Sequence, residues 1–445
     1  MELNSGDTAW VLASTALVLI MTPGLAFFYG GMTKAKTTLN MMMMSFATIA
    51  VVSVLWVIYG FSLAFGNSGS AYYGSFSLSG LSDAVGQLTN NGGVYGIPLL
   101  AFAGFQLMFA VITPALISGA IADRAKFVTW VVFVALWVTI VYFPVAHWVF
   151  DFGDKDPVTE EITGAGWLAA LGVEDFAGGT AVHINAGAAG LALAIVLGRR
   201  LGFKKSPNRP HNLPLVLIGA GLLWFGFNAG SALGATDTAA IALLNTQVAT
   251  AAALAGWLIV EKIRDGHPTS LGAASGAVAG LVAITPACAF VAPWAAVVIG
   301  LIAGILCAMA VGLKYKLNYD DSLDVVGVHL VGGLWGCLAI GFFGTSQILG
   351  ADGLFYGGGA ELLGKQAIGA FSVLAYSFIV TLILGFLLEK TIGFRISKDA
   401  ELEGIDVTQH LESAYDFEGN LGGTFAGGAA VKHKVAVKSD EEVSA

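Results

Sequence analysis

The chain has 445 residues, of which 56% are hydrophobic and 11% are charged, and its mean hydropathy is +0.78. Soluble domains carry about 25% charged residues, so this composition excludes a set of soluble domains and indicates a polytopic membrane protein. The formal net charge of −9 says little about partners, because most of the acidic residues fall in predicted loops and in the C-terminal tail.

Apolar runs long enough to cross a bilayer occur eleven times along the chain, so we predict an all-α fold with eleven transmembrane helices. The two weakest predictions are the sixth and eighth runs, which are rich in Gly and Ala. The predicted spans are 8–31, 40–65, 97–122, 126–150, 179–198, 212–232, 238–262, 269–289, 293–315, 325–345 and 366–389.

The basic residues of the loops give the orientation. Loops after the odd-numbered spans hold 13 Lys and Arg, whereas loops after the even-numbered spans hold only 2. The positive-inside rule therefore places the N-terminus outside and the C-terminus in the cytoplasm. This alternation would be lost if a span had been missed or added, so it supports the count of eleven.

Two short patterns recur five spans apart. The tetrapeptide Ile-Thr-Pro-Ala occurs at 112–115 in span 3 and at 284–287 in span 8, and the pattern H-x-x-x-G-x-x-G begins at His183 in span 5 and at His329 in span 10. Because five is an odd number, the second half would have inverted topology. We predict a five-plus-five inverted repeat, with span 11 outside it and the two histidines meeting near the midplane.

His183 and His329 are the titratable groups that remain deep in the predicted spans, where Asp, Glu, Lys and Arg are nearly absent. An ionisable residue at this depth is costly and is usually functional. Two adjacent uncharged imidazoles could hydrogen-bond to each other and still offer one lone pair and one N–H to a neutral guest. The alternative is a pair of structural histidines that only satisfy each other.

The chain divides into a predicted membrane domain, 1–392, and a predicted cytoplasmic tail, 393–445. The first part of the tail has a mixed composition that could fold against the membrane domain, whereas the part from about 417 onward is predicted to be disordered. An acidic loop, 151–178, is predicted on the outer side. It could concentrate cations near an outer mouth, or it could be an ordinary solvated loop.

Several longer motifs resemble signatures of the Amt/Rh ammonium transporter family, in its bacterial Amt branch. The resemblance covers residues 8–416, with the motifs in the family's order. They are P-G at 23–24 followed by F-Y-G-G at 28–31, D-F-A-G-G-T-A-V-H-I-N-A at 175–186, W-F-G-F-N-A-G-S at 224–231, I-T-P-A-C at 284–288, D-V-V-G-V-H at 324–329 and E-G-I-D at 403–406.

The resemblance implies roles for individual residues. His183 and His329 would be the twin histidines of a pore, and stacked rings would close its outer entrance. An outer recruitment site would attract the cation to aromatic faces and to a serine hydroxyl. The implied gate is Phe109 and Phe227, the implied recruitment and pore-wall residues are Trp224, Ser231, Phe150 and Asp175, and weaker assignments fall on Phe105, Gln106, Thr285, Asp321 and Asp324.

Two of these positions need comment. Asp175 would stabilise the incoming cation by orienting backbone carbonyls, and as an Asp before a helix start it is equally a plain N-cap; the two roles are compatible. The family usually has a tryptophan where this chain has Phe150, after Pro144–Val149. A phenyl ring keeps a π-face but lacks an N–H donor, so we expect weaker recruitment here, and Trp148 would point elsewhere on the helix.

The resemblance implies a multi-pass protein of the cell (inner) membrane that takes up ammonium or methylammonium and conducts ammonia, with or without a separately moved proton. It also implies a homotrimer with one pore per subunit and a PII-type regulatory partner at the cytoplasmic face. No cofactor, metal, nucleic acid or enzymatic activity is expected. The alternatives are an ammonium sensor with the tail as output, a secondary transporter of another small solute and a carbon dioxide pore.

Overall fold

The computed structural model describes residues 2–67, 70–156, 159, 161–205, 209–221 and 224–415. Among these residues, ten helical segments are long and apolar enough to cross a membrane. An eleventh predicted span forms a shorter apolar helix of 15 residues, Ser270–Ile284. The protein is therefore mostly helical, and its class is that of a multi-pass membrane protein.

We number the eleven apolar segments in chain order. Predicted and observed bounds of most segments differ by a few residues, since helix ends depend on capping groups as well as on apolar length. They are α1 Ser5–Met32, α2 Ala35–Phe65, α3 Leu99–Ile121, α4 Phe127–Phe150, α5 Gly179–Leu197, α6 Leu213–Ala232, α7 Asp237–Arg264, α8 Ser270–Ile284, α9 Pro293–Leu317, α10 Val326–Phe343 and α11 Glu361–Thr391.

The predicted span 269–289 extends past the end of α8. The helix ends at Ile284, and turns follow through residue 290. Pro286, two residues after this end, has no backbone N–H to donate to the next turn. The side chain of Asn245 in α7 donates to the carbonyl oxygens of Cys288 and Val291, at 2.8 Å each, and so satisfies backbone groups that a longer helix would have paired.

The connections lie on two faces of the helical bundle. The loop face is formed by the described residues 66–67, 70–98, 151–156, 161–178, 233–236 and 345–360. It carries two short antiparallel ribbons, which the all-α prediction did not include: β1 Leu88–Asn90 with β2 Val94–Pro98, and β3 Asp154–Lys155 with β4 Ile162–Thr163. A one-turn helix, Trp167–Leu171, follows β4.

The tail face is formed by residues 33–37, 122–126, 198–205, 318–325 and the described part of the tail, 393–415. Lys126 N donates to Phe394 O at 2.8 Å, and Glu401 accepts a hydrogen bond from Leu201 N and pairs with Arg395 at 3.0 Å. The tail thus joins two connections, 122–126 and 198–205. The predicted disorder beyond about 417 concerns residues that lie outside the described part of the chain.

Asp406 in the tail caps the first turn of α2. Its carboxylate accepts hydrogen bonds from Leu39 N at 3.0 Å and Asn40 N at 2.8 Å. The free N–H groups of a helix start attract an anion. The first part of the tail is therefore held on the helical bundle by specific bonds.

Glycines let α7, α8 and α9 approach closely. A Cβ built on Gly304 of α9 would overlap the carbonyl oxygen of Ala253 in α7, and one on Gly280 of α8 would lie 2.6 Å from the Cβ of the same alanine. Small residues at such crossings allow backbone-to-backbone contact in lipid, where packing rather than water drives association.

This contact predicts the effect of enlarging Gly304. We expect Gly304→Leu to lower the free energy of unfolding by about 1–3 kcal/mol or more, because the added side chain must push two backbones apart. The apparent melting temperature in detergent measures the loss. Gly364→Leu is the matched control, because a Cβ at Gly364 meets no described atom within 4 Å; equal melting temperatures for the two variants would contradict the prediction.

Candidate functional site

The start of α5 is built around Asp175. Its carboxylate accepts hydrogen bonds from the backbone N–H groups of Gly178 at 2.8 Å, Gly179 at 2.7 Å and Thr180 at 2.8 Å, and from the Thr180 hydroxyl. The first turns, Gly179–Ile184, are π-helical and carry His183 near their end. The carboxylate therefore fixes the helix start that aims this histidine.

Asp321 has the same role at the start of α10. It accepts from Val325 N at 3.1 Å and Val326 N at 2.8 Å, and the π-helical turn Val326–Leu330 carries His329. His329 follows Asp321 by eight residues, the spacing that also separates His183 from Asp175. Of the two weakly assigned aspartates, Asp321 is therefore the structural counterpart of Asp175.

Asp324, the other weakly assigned aspartate, is bound elsewhere. It pairs with Lys314 at 2.6 Å, and its backbone is left-handed, with φ of 66°. Lys314 also donates to the carbonyl oxygen of Asp321 at 3.0 Å. Burial, and then the neighbouring Asp324 carboxylate, raise the pKa of Asp321. The buried Asp321 and Lys314 thus form one cluster with the partly exposed Asp324 on the tail face.

The two histidines contact each other directly. Nδ1 of His183 lies 3.3 Å from Nδ1 of His329, the ring centroids are 5.4 Å apart, and both side chains are buried. A bond between two ring nitrogens needs one donor and one acceptor, so at least one ring is neutral. Within the described part of the chain, Nε2 of His183 has no hydrogen-bond partner, so this nitrogen is available to a guest.

Trp224 stacks on the histidine pair. Its ring lies 5.4 Å from the His183 ring, and its indole N–H donates to the Thr285 hydroxyl at 3.1 Å. With His329 it lines a small cavity of about 20 Å³. Ser231 lies about two helical turns further along α6 and lines the larger cavity described next, whereas Trp224 does not. Of the two parts of the prediction for Trp224, recruitment site and pore wall, its position beside the histidines fits the pore wall.

A large cavity of about 720 Å³ opens on the loop face. The Ser231 hydroxyl in its wall donates to Phe227 O at 2.9 Å, which leaves the oxygen lone pairs to accept a bond from a guest. Oε1 of Gln106 is buried, without a partner among the described residues. The predicted site residues that line this cavity are Phe105, Gln106, Phe109, Phe150, Asp175 and Ser231.

Two stacked phenyl rings separate the large cavity from the histidines. The rings of Phe109 and Phe227 lie 4.2 Å apart and are nearly parallel, at 21°. Phe227 is 6.2 Å from the His183 ring on one side, and Phe105 contacts Phe109 edge-on at 4.9 Å on the other. The arrangement places an aromatic plug, formed by Phe109 and Phe227, between the large cavity and the pair of imidazoles.

Phe150 faces this plug. Its ring lies edge-on to Phe109 at 6.3 Å, and Asn91 holds the backbone at the end of α4 by donating to Phe150 O at 2.7 Å and accepting from Phe152 N at 2.6 Å. Trp148 points away from the cavity, and its indole donates to Tyr72 O at 2.8 Å. Phe150 is therefore the residue of α4 that presents a π-face to the cavity.

Glu174 also lines the large cavity. From the sequence alone it was one residue of the acidic loop 151–178. Burial raises the pKa of this carboxyl from 4.5 to about 7. Its position next to Asp175 was the available signal in the sequence. Among the described residues, no three His, Cys, Asp or Glu side chains lie close enough together to hold a metal ion.

Comparison with known proteins decides the family. A profile of the Ammonium Transporter Family matches residues 9–415. The chain belongs to the Ammonium Transporter Family. It is 54% identical to a Mycobacterium tuberculosis protein named ammonium transporter, over 93% of this chain and 91% of that one.

Solved structures of the family show the same fold. The crystal structure of Candida albicans Mep2 superposes with a TM-score of 0.81 at 32% identity, over 89% of this chain and 88% of that one. A structure named Sensor Amt Protein superposes with a TM-score of 0.82 at 29% identity, over 91% and 98%. With its ten long apolar helices, this family member is a multi-pass protein of the cell membrane.

The bond from Trp224 to Thr285 predicts the effect of removing the hydroxyl. We expect Thr285→Val to cost about 1–3 kcal/mol, because the buried indole N–H loses its acceptor beside the histidines. Thermal unfolding in detergent and transport by the same sample measure the effect. Thr250→Val is the control, since the Thr250 hydroxyl bonds only to Thr246 O of its own helix; a loss as large in the control would refute the argument.

Proposed function

We propose that the protein conducts ammonium nitrogen into the cell: it recruits ammonium at the large cavity, removes a proton and passes ammonia along the histidine pair. The observation that carries this proposal is the order of the groups on one path. A cavity with aromatic faces and a hydroxyl is followed by the stack of Phe109 and Phe227, and then by His183 and His329, whose Nδ1 atoms are 3.3 Å apart.

The energetics favour a neutral species at the histidines. Desolvating an ammonium-sized cation costs on the order of 20 kcal/mol in an apolar medium. Phe109, Phe150 and Ser231 offer π-faces and an acceptor oxygen at the cavity, which can replace part of the hydration shell. Below them the described neighbours of the path are phenyl, indole and imidazole groups, which suit ammonia better than an ion.

The same path would discriminate against potassium. Potassium has no N–H to donate to the Ser231 oxygen and no proton to lose at the phenyl stack. It would therefore keep its full charge at the point where the cavity narrows to aromatic rings. Selectivity would follow from this chemistry, because the two cations have similar sizes.

We infer eleven crossings, with α8 as the shortest, an N-terminus outside and a C-terminus in the cytoplasm, so that the loop face is the outer face. Reciprocal contacts support the inverted five-plus-five repeat. Gly187, four residues after His183, packs on Leu330, and Gly333, four residues after His329, packs on Ile184. Such an exchange of equivalent contacts is expected at a pseudo-two-fold axis in the membrane plane.

We further propose a homotrimer with one pore per subunit, in which residues 1–392 form the transport domain and residues 393–445 a cytoplasmic tail. The tail bonds at Asp406 and Glu401 give it direct access to α2 and to the loop at Leu201. A PII-type protein that contacts this face would act on these connections. Methylammonium is the proposed substrate analogue.

One observation favours an alternative function. A structure named Sensor Amt Protein superposes well on this chain, so the protein could bind ammonium as a signal rather than move it. A sensor would bind ammonium without flux, whereas a secondary transporter of another solute would take up that solute in preference to methylammonium. Measuring the uptake of labelled methylammonium and of a panel of labelled organic solutes distinguishes the three functions. The named relatives are transporters rather than enzymes.

The histidine pair gives the main test. We expect His183→Ala and His329→Ala each to lower methylammonium uptake or its selectivity over potassium by about tenfold or more, since a loss of 1.4 kcal/mol is a factor of ten. Uptake and current on an ammonium pulse are recorded in proteoliposomes, and the current shows whether a proton follows. The control is His267→Ala, which changes an exposed histidine of the loop after α7. If His183→Ala and His329→Ala were both as active and selective as the parent, the proposed role of the histidine pair would be refuted.

The phenyl ring at 150 gives a second test. We expect Phe150→Trp to lower the apparent KM for methylammonium about two- to fivefold, because indole is the better cation–π partner by roughly 0.5–1 kcal/mol. Initial uptake rates over a range of methylammonium concentrations measure KM. Phe76→Trp serves as control because Phe76 is exposed on the loop face away from the cavity; an unchanged KM in Phe150→Trp would show that this ring does not recruit the cation.

A further inference from the structure

Glu174 is held in the wall of the large cavity by contacts from distant parts of the chain. Its backbone N–H donates to Oε1 of Gln366 in α11 at 2.7 Å, and Nε2 of Gln366 donates to its carbonyl oxygen at 2.7 Å. The same Nε2 lies 3.2 Å from the carbonyl oxygen of Cys337 in α10. Two membrane helices thus fix the position of this loop residue.

The two carboxyl oxygens of Glu174 have different surroundings. Oε1 accepts a hydrogen bond from Ala351 N at 2.6 Å. Oε2 is buried and has no partner among the described residues, and a Cβ built on Gly350 would lie 3.0 Å from it. A buried carboxylate oxygen without a donor is costly when charged, and a proton relieves that cost.

The charges around Glu174 do not remove this cost. Lys365 of α11 favours the ionised carboxyl but pairs with Glu361 at 2.8 Å. In the loop that carries Ala351, the Asp352 carboxylate is bound by Ser346. Burial is the largest effect on Glu174 and raises its pKa to about 7, against the opposing effects of the Ala351 N–H and Lys365.

The other described titratable groups that line the cavity are already engaged by neighbouring groups or are not carboxylates. Asp175 accepts several hydrogen bonds at the start of α5, and Asp7 accepts from Ala235 N at 2.9 Å. Burial raises the pKa of the Tyr95 phenol, so this group stays protonated, and Lys365 pairs with Glu361. A carboxylate that titrates near the ambient pH is the most effective general base, which singles out Glu174.

We propose that Glu174 accepts the proton that ammonium loses in the large cavity, an inference that rests on the transport function proposed above. One N–H bond of ammonium breaks and one O–H bond forms on the Glu174 carboxylate, so neutral ammonia enters the stack of Phe109 and Phe227. The Glu174 carboxyl then returns the proton to water in the cavity and is ready for the next ion. Glu174 is thus a catalytic residue of the deprotonation step.

The experiment compares the pH dependence of methylammonium uptake by the parent and by Glu174→Gln in proteoliposomes. The base form of Glu174 is lost as the pH falls through about 7, so parent uptake should rise between about pH 5.5 and 7 and level off above. In Glu174→Gln we expect a flat profile, a maximal rate lower by about 100-fold at pH 8 and a nearly unchanged KM. Methylammonium stays a cation throughout this range.

Two further variants decide the interpretation. Asp83→Asn removes a carboxylate at an exposed position of the loop face that does not line the cavity, and should keep the parent profile. Glu174→Asp keeps a carboxyl, so its uptake should still rise with pH. This variant tests the inference if Glu174→Gln does not fold. A parent profile in Glu174→Gln, or a flat one in folded Glu174→Asp, overturns the inference; no uptake by the parent at any pH would instead refute the transport function.

Discussion

The interior of this bundle can hold no uncompensated positive charge, and the arrangement of the site follows from that constraint. A buried cation would need a carboxylate partner or a shell of oxygens. At the depth of the histidines the structure offers imidazole, indole and phenyl rings instead. The carboxylates that precede the two histidines in sequence, Asp175 and Asp321, lie at the helix starts, where backbone N–H groups donate to their oxygens. The charged carboxylates thus lie at the helix starts, and aromatic and imidazole rings lie between them.

The aspartate at each helix start also explains how two flexible imidazoles keep one geometry. Each caps a short π-helical segment, and the segment carries the histidine eight residues after the aspartate. Trp224, itself bound to Thr285, covers one face of His183. Orientation therefore comes from backbone caps and ring stacking, which are independent of the protonation of the rings themselves.

The membrane class, the long apolar helices and the family were predicted from sequence and confirmed, because apolar length and contiguous motifs are local properties. The cavity that each candidate residue lines was not predicted, since it depends on how the helices pack: Trp224 and Ser231 belong to one helix but line different cavities. Nor was Glu174 recognised, because its surroundings come from Gln366 and Ala351, more than 170 residues away in sequence. The equal spacing from Asp175 to His183 and from Asp321 to His329 was present in the sequence, and it would have distinguished Asp321 from Asp324.

The exchange of contacts between α5 and α10 constrains how the two halves can diverge. Gly187 rests on the residue after one histidine and Gly333 on the residue after the other, so a bulkier group at either glycine displaces the ring that the opposite half supplies. A change at one of these glycines therefore affects the helix that carries the other histidine. Over long times, substitutions at these two glycines should be accepted as matched pairs across the molecule.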